Sequence, residues 1–238
     1  MGQDRSKLPQ TAESGAVDAF LRKLAAVPPP RPSEGKRGRL LFGMDATASR
    51  EPTWDRACQI QAEMFRETGA LGGLDIQLAY YRGYREFEAT PWCSDSAALL
   101  RRMTAVTCLG GQTQIARLLQ HAIDETRREK VNALVFVGDC MEEDVDRLCH
   151  LAGELGLLGV PAFIFHEGGN QKAARAFQQI ARLTNGAYCR FDRNSAQQLR
   201  ELLAAVAVFA AGGRRALEDY GRRTGGAALQ LTHQVGRS

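Results

Sequence analysis

The sequence predicts an α/β fold: a doubly wound, mostly parallel six-stranded sheet with one antiparallel edge strand and helices on both faces. Three observations carry this. From Arg39 to Ala211, short apolar runs alternate with stretches whose apolar residues recur at helical spacing, the pattern of a sheet covered on both sides. Two of the runs are separated only by Arg82-Gly83-Tyr84, too short for a helical crossover, so that pair is a hairpin. Oxygen-bearing residues gather where apolar runs end, at Asp45 and Asp139, as in sheets whose ligands sit beyond the strands' carboxyl ends.

Residues 1–37 form an N-terminal extension. Within it, Val17, Phe20, Leu21, Leu24 and Val27 line one face of a short helix over 16–27, which Pro28-Pro29-Pro30-Arg31-Pro32 stops as a linker. A domain follows over 38–211, with strands at 39–44, 75–81, 85–88, 131–138, 160–166 and 187–191. Helices are expected near 54–68, 95–104, 113–128, 142–156, 170–184 and 195–210. In the helix at 113–128, Ile115, Leu118, Leu119, Ala122 and Ile123 fall on one stripe; Leu199, Leu202, Leu203 and Val206 do so in the last. Residues 212–238 are rich in Gly and Arg and are expected to be a loosely ordered tail, with ALQLTHQV at 227–234 its apolar remnant.

The net charge of +4 sits at the margins of the domain. Residues 31–39 and 212–238 contribute +3 each, leaving the rest at −2, so no basic face for nucleic acid is expected. Six cysteines form no C-x-x-C pair and lie in or near apolar segments, as reduced, mostly buried thiols do. No apolar run approaches the ~20 residues of a membrane span and the start lacks an apolar signal core, so the expectation is a cytoplasmic protein.

The candidate site combines three loops. Asp45, Thr47 and Ser49 alternate at the end of the first strand, so their side chains point one way in extended chain. Thr113 follows Gly110-Gly111-Gln112, and Asp139 follows Gly138 at the end of the strand over 131–138. Asp45 and Asp139 are expected on neighbouring strands where the strand order reverses, with Asp45 open to solvent. Two carboxylates and three hydroxyls form an oxygen-only set for a hard cation, Mg²⁺ or Mn²⁺. Such an ion keeps an exchangeable position, where an acidic group of a protein partner can bind.

At these residues the chain resembles the von Willebrand factor A (vWA) family. D-x-[ST]-x-S at 45–49, GG-x-T at 110–113 and the apolar strand ending in Asp139 are similar to that family's metal-ion-dependent adhesion site (MIDAS). The likeness spans about residues 38–211, including the element order and the short hairpin. Thr47 stands where Ser is usual, and Val-Gly-Asp-Cys ends a strand where Thr-Asp-Gly is common. The resemblance implies a Rossmann-like, non-catalytic interaction domain that grips a partner's Glu or Asp through its metal. Intracellular members often serve as adaptors or assembly factors, some with AAA+ ATPases.

Other readings of the same residues exist. Asp45, Thr47 and Ser49 suit a helix-capping loop; Thr113 suits the cap of the helix at 113–128, and Asp139 that of a helix starting near Glu142. An aspartate nucleophile after a first strand is also found in phosphatases of the haloacid dehalogenase type. Those need a second Asp where this chain has Thr47, and Asp139 lacks an adjacent acid, although Glu142, Glu143 and Asp144 are close. A structural domain with a decayed metal site is the remaining alternative. No G-x-G-x-x-G or G-x-x-x-x-G-K-[ST] follows the first strand. His166 reads as a loop residue, and Tyr81, Tyr84 and Trp92 as core or the rim of a partner surface.

Overall fold

The computed structural model of the protein describes residues 37–50, 73–191 and 196–224. The helices expected at 16–27 and 54–68 and the segment 227–234 lie outside these residues. The strands are β1 (Gly38–Asp45), β2 (Leu74–Arg82), β3 (Glu86–Ala89), β4 (Ala133–Gly138), β5 (Ala162–Glu167) and β6 (Ala187–Phe191). The helices are α1 (Ser96–Thr104), α2 (Ile115–Arg128), α3 (Val145–Leu157), α4 (Gln171–Leu183) and α5 (Ala196–Thr224).

The six strands form one sheet in the order β3-β2-β1-β4-β5-β6. All neighbours are parallel except β2 and β3, the expected hairpin. β1 lies between β2 and β4, so the strand order reverses beside it, and crevices form at such a reversal.

Side-chain alternation divides the core into two layers. Leu40, Phe42 and Met44 of β1 pack with Leu99 and Met103 of α1 and with Leu202, Val206 and Phe209 of α5. Leu41 of β1 and Tyr81 of β2 pack on the other face with α2, α3 and α4, including Leu118, Leu148 and Phe177. A fully buried Phe or Leu contributes ~1.5–3 kcal/mol relative to leaving it in water, so these layers dominate the stability.

Two expectations need correction. The last helix does not stop near 210 but continues to Thr224 across a break at Gly213 (φ 68°, ψ −163°). Its far part buries Ala216 and Tyr220 against Ala204 and Val208, so the chain beyond 211 begins with packed helix rather than loose tail. The thiols are also more accessible than expected: Cys189 is buried, but Cys93, Cys108, Cys140 and Cys149 are only half-buried. Burial pushes the Cys189 thiol pKa up to about 12.

Candidate metal centre

Asp45 ends β1 beside β4, where Met44 pairs with Val137. A Cβ built on Gly138 would lie 3.5 Å from the Asp45 Cβ, so the first Asp and the strand end leading to Asp139 are in contact. The topology therefore brings the two carboxylate residues together at the strand-order reversal, as the sequence predicts. Asp45 is not open to solvent, however: it is wholly buried. Its Oδ1 accepts a hydrogen bond from the Thr47 N–H at 2.9 Å and its Oδ2 accepts one from the Tyr81 hydroxyl at 3.1 Å. Burial holds the Tyr81 phenol pKa well above its ordinary value, and the nearby Asp45, Glu143 and Asp139 charges add to the effect. Tyr81 therefore remains a donor to Asp45.

Thr47 and Ser49 continue from Asp45 into a short 3₁₀ turn, Ala48–Arg50, with their hydroxyl oxygens 3.1 Å apart. Thr47 is buried and Ser49 is exposed. The Thr113 loop lies against this turn, since Leu109 bridges Thr47 and its N–H donates to the Ala46 carbonyl at 3.1 Å. Gly111 is required there: a Cβ would come within 1.9 Å of the Gly83 carbonyl oxygen.

Thr113 is also joined to the loop after Asp139. The Glu142 N–H donates to Thr113 Oγ1 at 3.1 Å, and the Thr113 N–H donates to Glu142 Oε2 at 3.2 Å. Glu143 accepts from the N–H groups of Ile115 at 2.6 Å and Ala116 at 2.9 Å, which satisfies the start of α2. Burial raises the Glu143 pKa, against the lowering effect of those hydrogen bonds and one from the Thr113 side chain. Loop geometry set by this chain's own contacts thus places Glu142 and Glu143 in the site, a role that no spacing in the sequence announces.

The capping readings meet these contacts differently. The cap of α3 is Asp144, whose side chain accepts from the Arg147 N–H at 2.8 Å, so Asp139 is not the cap. The residue before α2 is Gln114, not Thr113. Asp45 does bond its own turn through Thr47, so a local structural role coexists with any other.

Asp139 differs from Asp45. Its Oδ1 is buried and has no hydrogen-bond partner, and no Lys or Arg forms an ion pair with it among the described residues. A buried carboxylate oxygen left unsatisfied is costly, and a cation is one group that would satisfy it. His166 is wholly buried on β5, not a loop residue. Its Nδ1 lies 2.8 Å from the Tyr188 hydroxyl and its Nε2 3.3 Å from the Asp139 carbonyl oxygen, so it braces the backbone under Asp139. Burial, the largest influence, lowers its pKa, which favours a neutral ring there.

Among the described residues, no group of three or more His, Cys, Asp or Glu is placed to hold a metal ion. A cation at this edge would depend on hydroxyl oxygens as much as on carboxylates, and Thr47, Ser49 and Thr113 are the hydroxyl residues that would supply them. The donor set is all oxygen and suits a hard cation.

No family model and no curated protein matches the chain. Solved structures do. The VWA domain of SpRpn10 aligns with a TM-score of 0.58 at 13% identity, over 75% of this chain and 98% of that one. Proximal thread matrix protein 1 from the mussel byssus aligns at 0.56 and 15% identity, over 71% of this chain and 45% of that one. The pilus adhesin SpaC from Lactobacillus rhamnosus GG aligns at 0.56 and 10% identity, over 77% and 30%. The match thus spans less than half the length of the latter two. Among the described residues no helix is long and apolar enough to cross a membrane. The strand order, the antiparallel edge and the near-complete overlap with a VWA domain together give this chain a von Willebrand factor A-like fold.

Proposed function

We propose that this chain is a non-catalytic protein-interaction domain of the cytoplasm, an adaptor or assembly factor. In this reading it holds Mg²⁺ or Mn²⁺ with Asp45, Thr47, Ser49, Thr113 and Asp139 and uses the ion to grip a Glu or Asp of a protein partner. The observation that carries the proposal is the buried, unsatisfied Oδ1 of Asp139, the residue after Gly138, which itself abuts Asp45 at the reversal of the strand order. Three hydroxyls are neutral, so a +2 ion at this edge retains an attraction for an incoming carboxylate wherever Asp45 or Asp139 acts through water. Without the ion, the same carboxylates repel that group. An AAA+ ATPase complex is the proposed kind of assembly, by resemblance to intracellular vWA proteins.

The burial of Asp45, with one oxygen on Tyr81 and the other on the Thr47 N–H, supports the non-catalytic reading over the phosphatase, which needs an accessible nucleophile. Calorimetric titration tests the proposal. The wild-type chain is expected to bind one Mn²⁺ or Mg²⁺, Asp45→Asn to lose it, and Thr113→Ala to bind at least about 10-fold more weakly, equivalent to ~1.4 kcal/mol. Undiminished affinity in both variants would sink the five-residue site. Turnover of p-nitrophenyl phosphate dependent on Asp45 would favour the phosphatase instead.

A further inference from the structure

The turn between β2 and β3 carries Tyr84, whose 76% exposure is unusual for an aromatic residue. Asp45 pairs with Tyr81 across β1 and β2, so this turn starts two residues beyond the level of Asp45, at about 3.3 Å per residue on the same edge of the sheet. Backbone hydrogen bonds join it to the site. The Gly83 N–H donates to the Leu109 carbonyl at 3.4 Å, the Leu109 N–H donates to the Ala46 carbonyl at 3.1 Å, and Leu109 bridges Thr47. Leu109 is itself 40% exposed. An aromatic ring and a leucine thus flank the Thr47 and Thr113 loops in open solvent.

The turn is held in a specific form. Arg85 has φ +61°, the left-handed region that a side chain other than Gly, Asn or Asp seldom takes. Arg117 donates to its carbonyl at 2.7 Å, and Gln114 donates to the Glu86 carbonyl at 3.1 Å, so the first turn of α2 and the residue before it clamp the turn. The Arg85 guanidinium lies 5.3 Å from the Tyr84 ring centroid, and that of Arg117 5.3 Å from the Phe87 ring. Arg82 pairs with Glu86, but neither Arg85 nor Arg117 forms an ion pair with a carboxylate among the described residues. The exposed Glu86, Glu88 and Glu142 interrupt any continuous cationic track, which disfavours a phosphate backbone and favours discrete carboxylates.

We propose that Tyr84, Leu109 and Arg85 form a second subsite that docks an acidic peptide segment of a partner protein, taking an aromatic or aliphatic side chain beside the acid. The anchoring of that acid rests on the metal reading above; the apolar preference rests on the rim. Aromatic and arginine residues are the usual anchors of such contacts. A carboxylate beyond the anchoring acid meets Arg85 and Arg117, whose charge complements it.

The test is selection of a random seven-residue library displayed on phage against the full-length chain in Mg²⁺, followed by fluorescence anisotropy of the most enriched peptide. Enriched peptides are expected to place Glu or Asp next to Phe, Tyr, Leu or Ile. The double variant Tyr84→Ser, Leu109→Ser is expected to bind the peptide at least about 10-fold more weakly while its Mn²⁺ affinity stays unchanged. Arg85→Gly, which suits the positive φ, is expected to weaken binding and reduce its salt dependence. No enrichment, enriched peptides lacking an apolar neighbour, or unchanged affinity in the double variant would each overturn the subsite. A chain that binds no Mn²⁺ but takes the peptide through Tyr84 equally well in EDTA would reject the metal reading and keep the rim. A chain that binds Mn²⁺ and is indifferent to the rim substitutions would do the reverse.

Discussion

Asp45 holds its own turn and is also the first candidate ligand of a cation, and the two roles are separable by substitution. Removing its carboxylate altogether leaves the buried Tyr81 hydroxyl and the Thr47 N–H without their acceptor. Asp45→Ala should therefore cost ~1–3 kcal/mol per orphaned donor, partly offset by relief from the neighbouring Asp139. Asp45→Asn keeps one carbonyl acceptor and should cost less, and urea denaturation of the two variants checks the order. This differs from the expectation of a solvent-facing ligand, because a strand end says nothing about how its neighbours close over it. His121 supplies a pH dependence away from the site. It is half-buried, 2.8 Å from Gln77 Oε1 and edge-on to Phe87, and burial lowers its pKa against the raising effect of Glu125 and Asp124. As pH falls below about 6.5 the unfolded chain takes up that proton first, so His121's contribution is present at neutral pH and lost on acidification. Thermal melts from pH 7.5 to 5.5 should show a smaller loss in His121→Gln than in the wild type.

At the level of elements, apolar periodicity located the described α-helices and the strands other than β3, because each must bury one face; β3, with Glu86, Glu88 and Ala89 exposed, is legible from the short connection after β2 instead. Periodicity missed the end of α5. Gly212-Gly213 followed by Arg214-Arg215 reads as the end of a helix, yet after the break the helix resumes and packs Tyr220 on Val208. The apolar stripe that signals this is short, Ala216 and Tyr220 at i, i+4, and too sparse to stand out among Gly and Arg. Gly213 makes the resumption possible, since φ 68° with ψ −163° is open essentially only to glycine. Deletion of 214–238 should then lower the melting temperature by several degrees, given ~1.5–3 kcal/mol for one large buried side chain and about 2–4 °C per kcal/mol for a domain of this size. Gly213→Ala should cost ~1–3 kcal/mol. Differential scanning calorimetry reads both, and an unchanged midpoint in the deletion would show that the packed segment adds nothing.

For the whole molecule, the sheet was legible because its two faces demand continuous apolar strands and its hairpin admits only one connection. The two Asp positions were legible because parallel strands deliver their ends to one edge. Glu142, Glu143 and His166 were not, since their places depend on loop closure and on burial by neighbours distant in sequence. The central place of β1 has a consequence for the order of synthesis. Leu40 of β1 pairs on one side with Ile76 and on the other with Ala133. At ~5–20 residues per second on the ribosome, Ala133 follows Leu40 by about 5–20 s. During that interval the edge of β1 that β4 will cover keeps its backbone N–H and C=O groups unpaired, beside a half-built candidate site. The nascent chain is thus most exposed to mispairing at the strand on which the finished site depends.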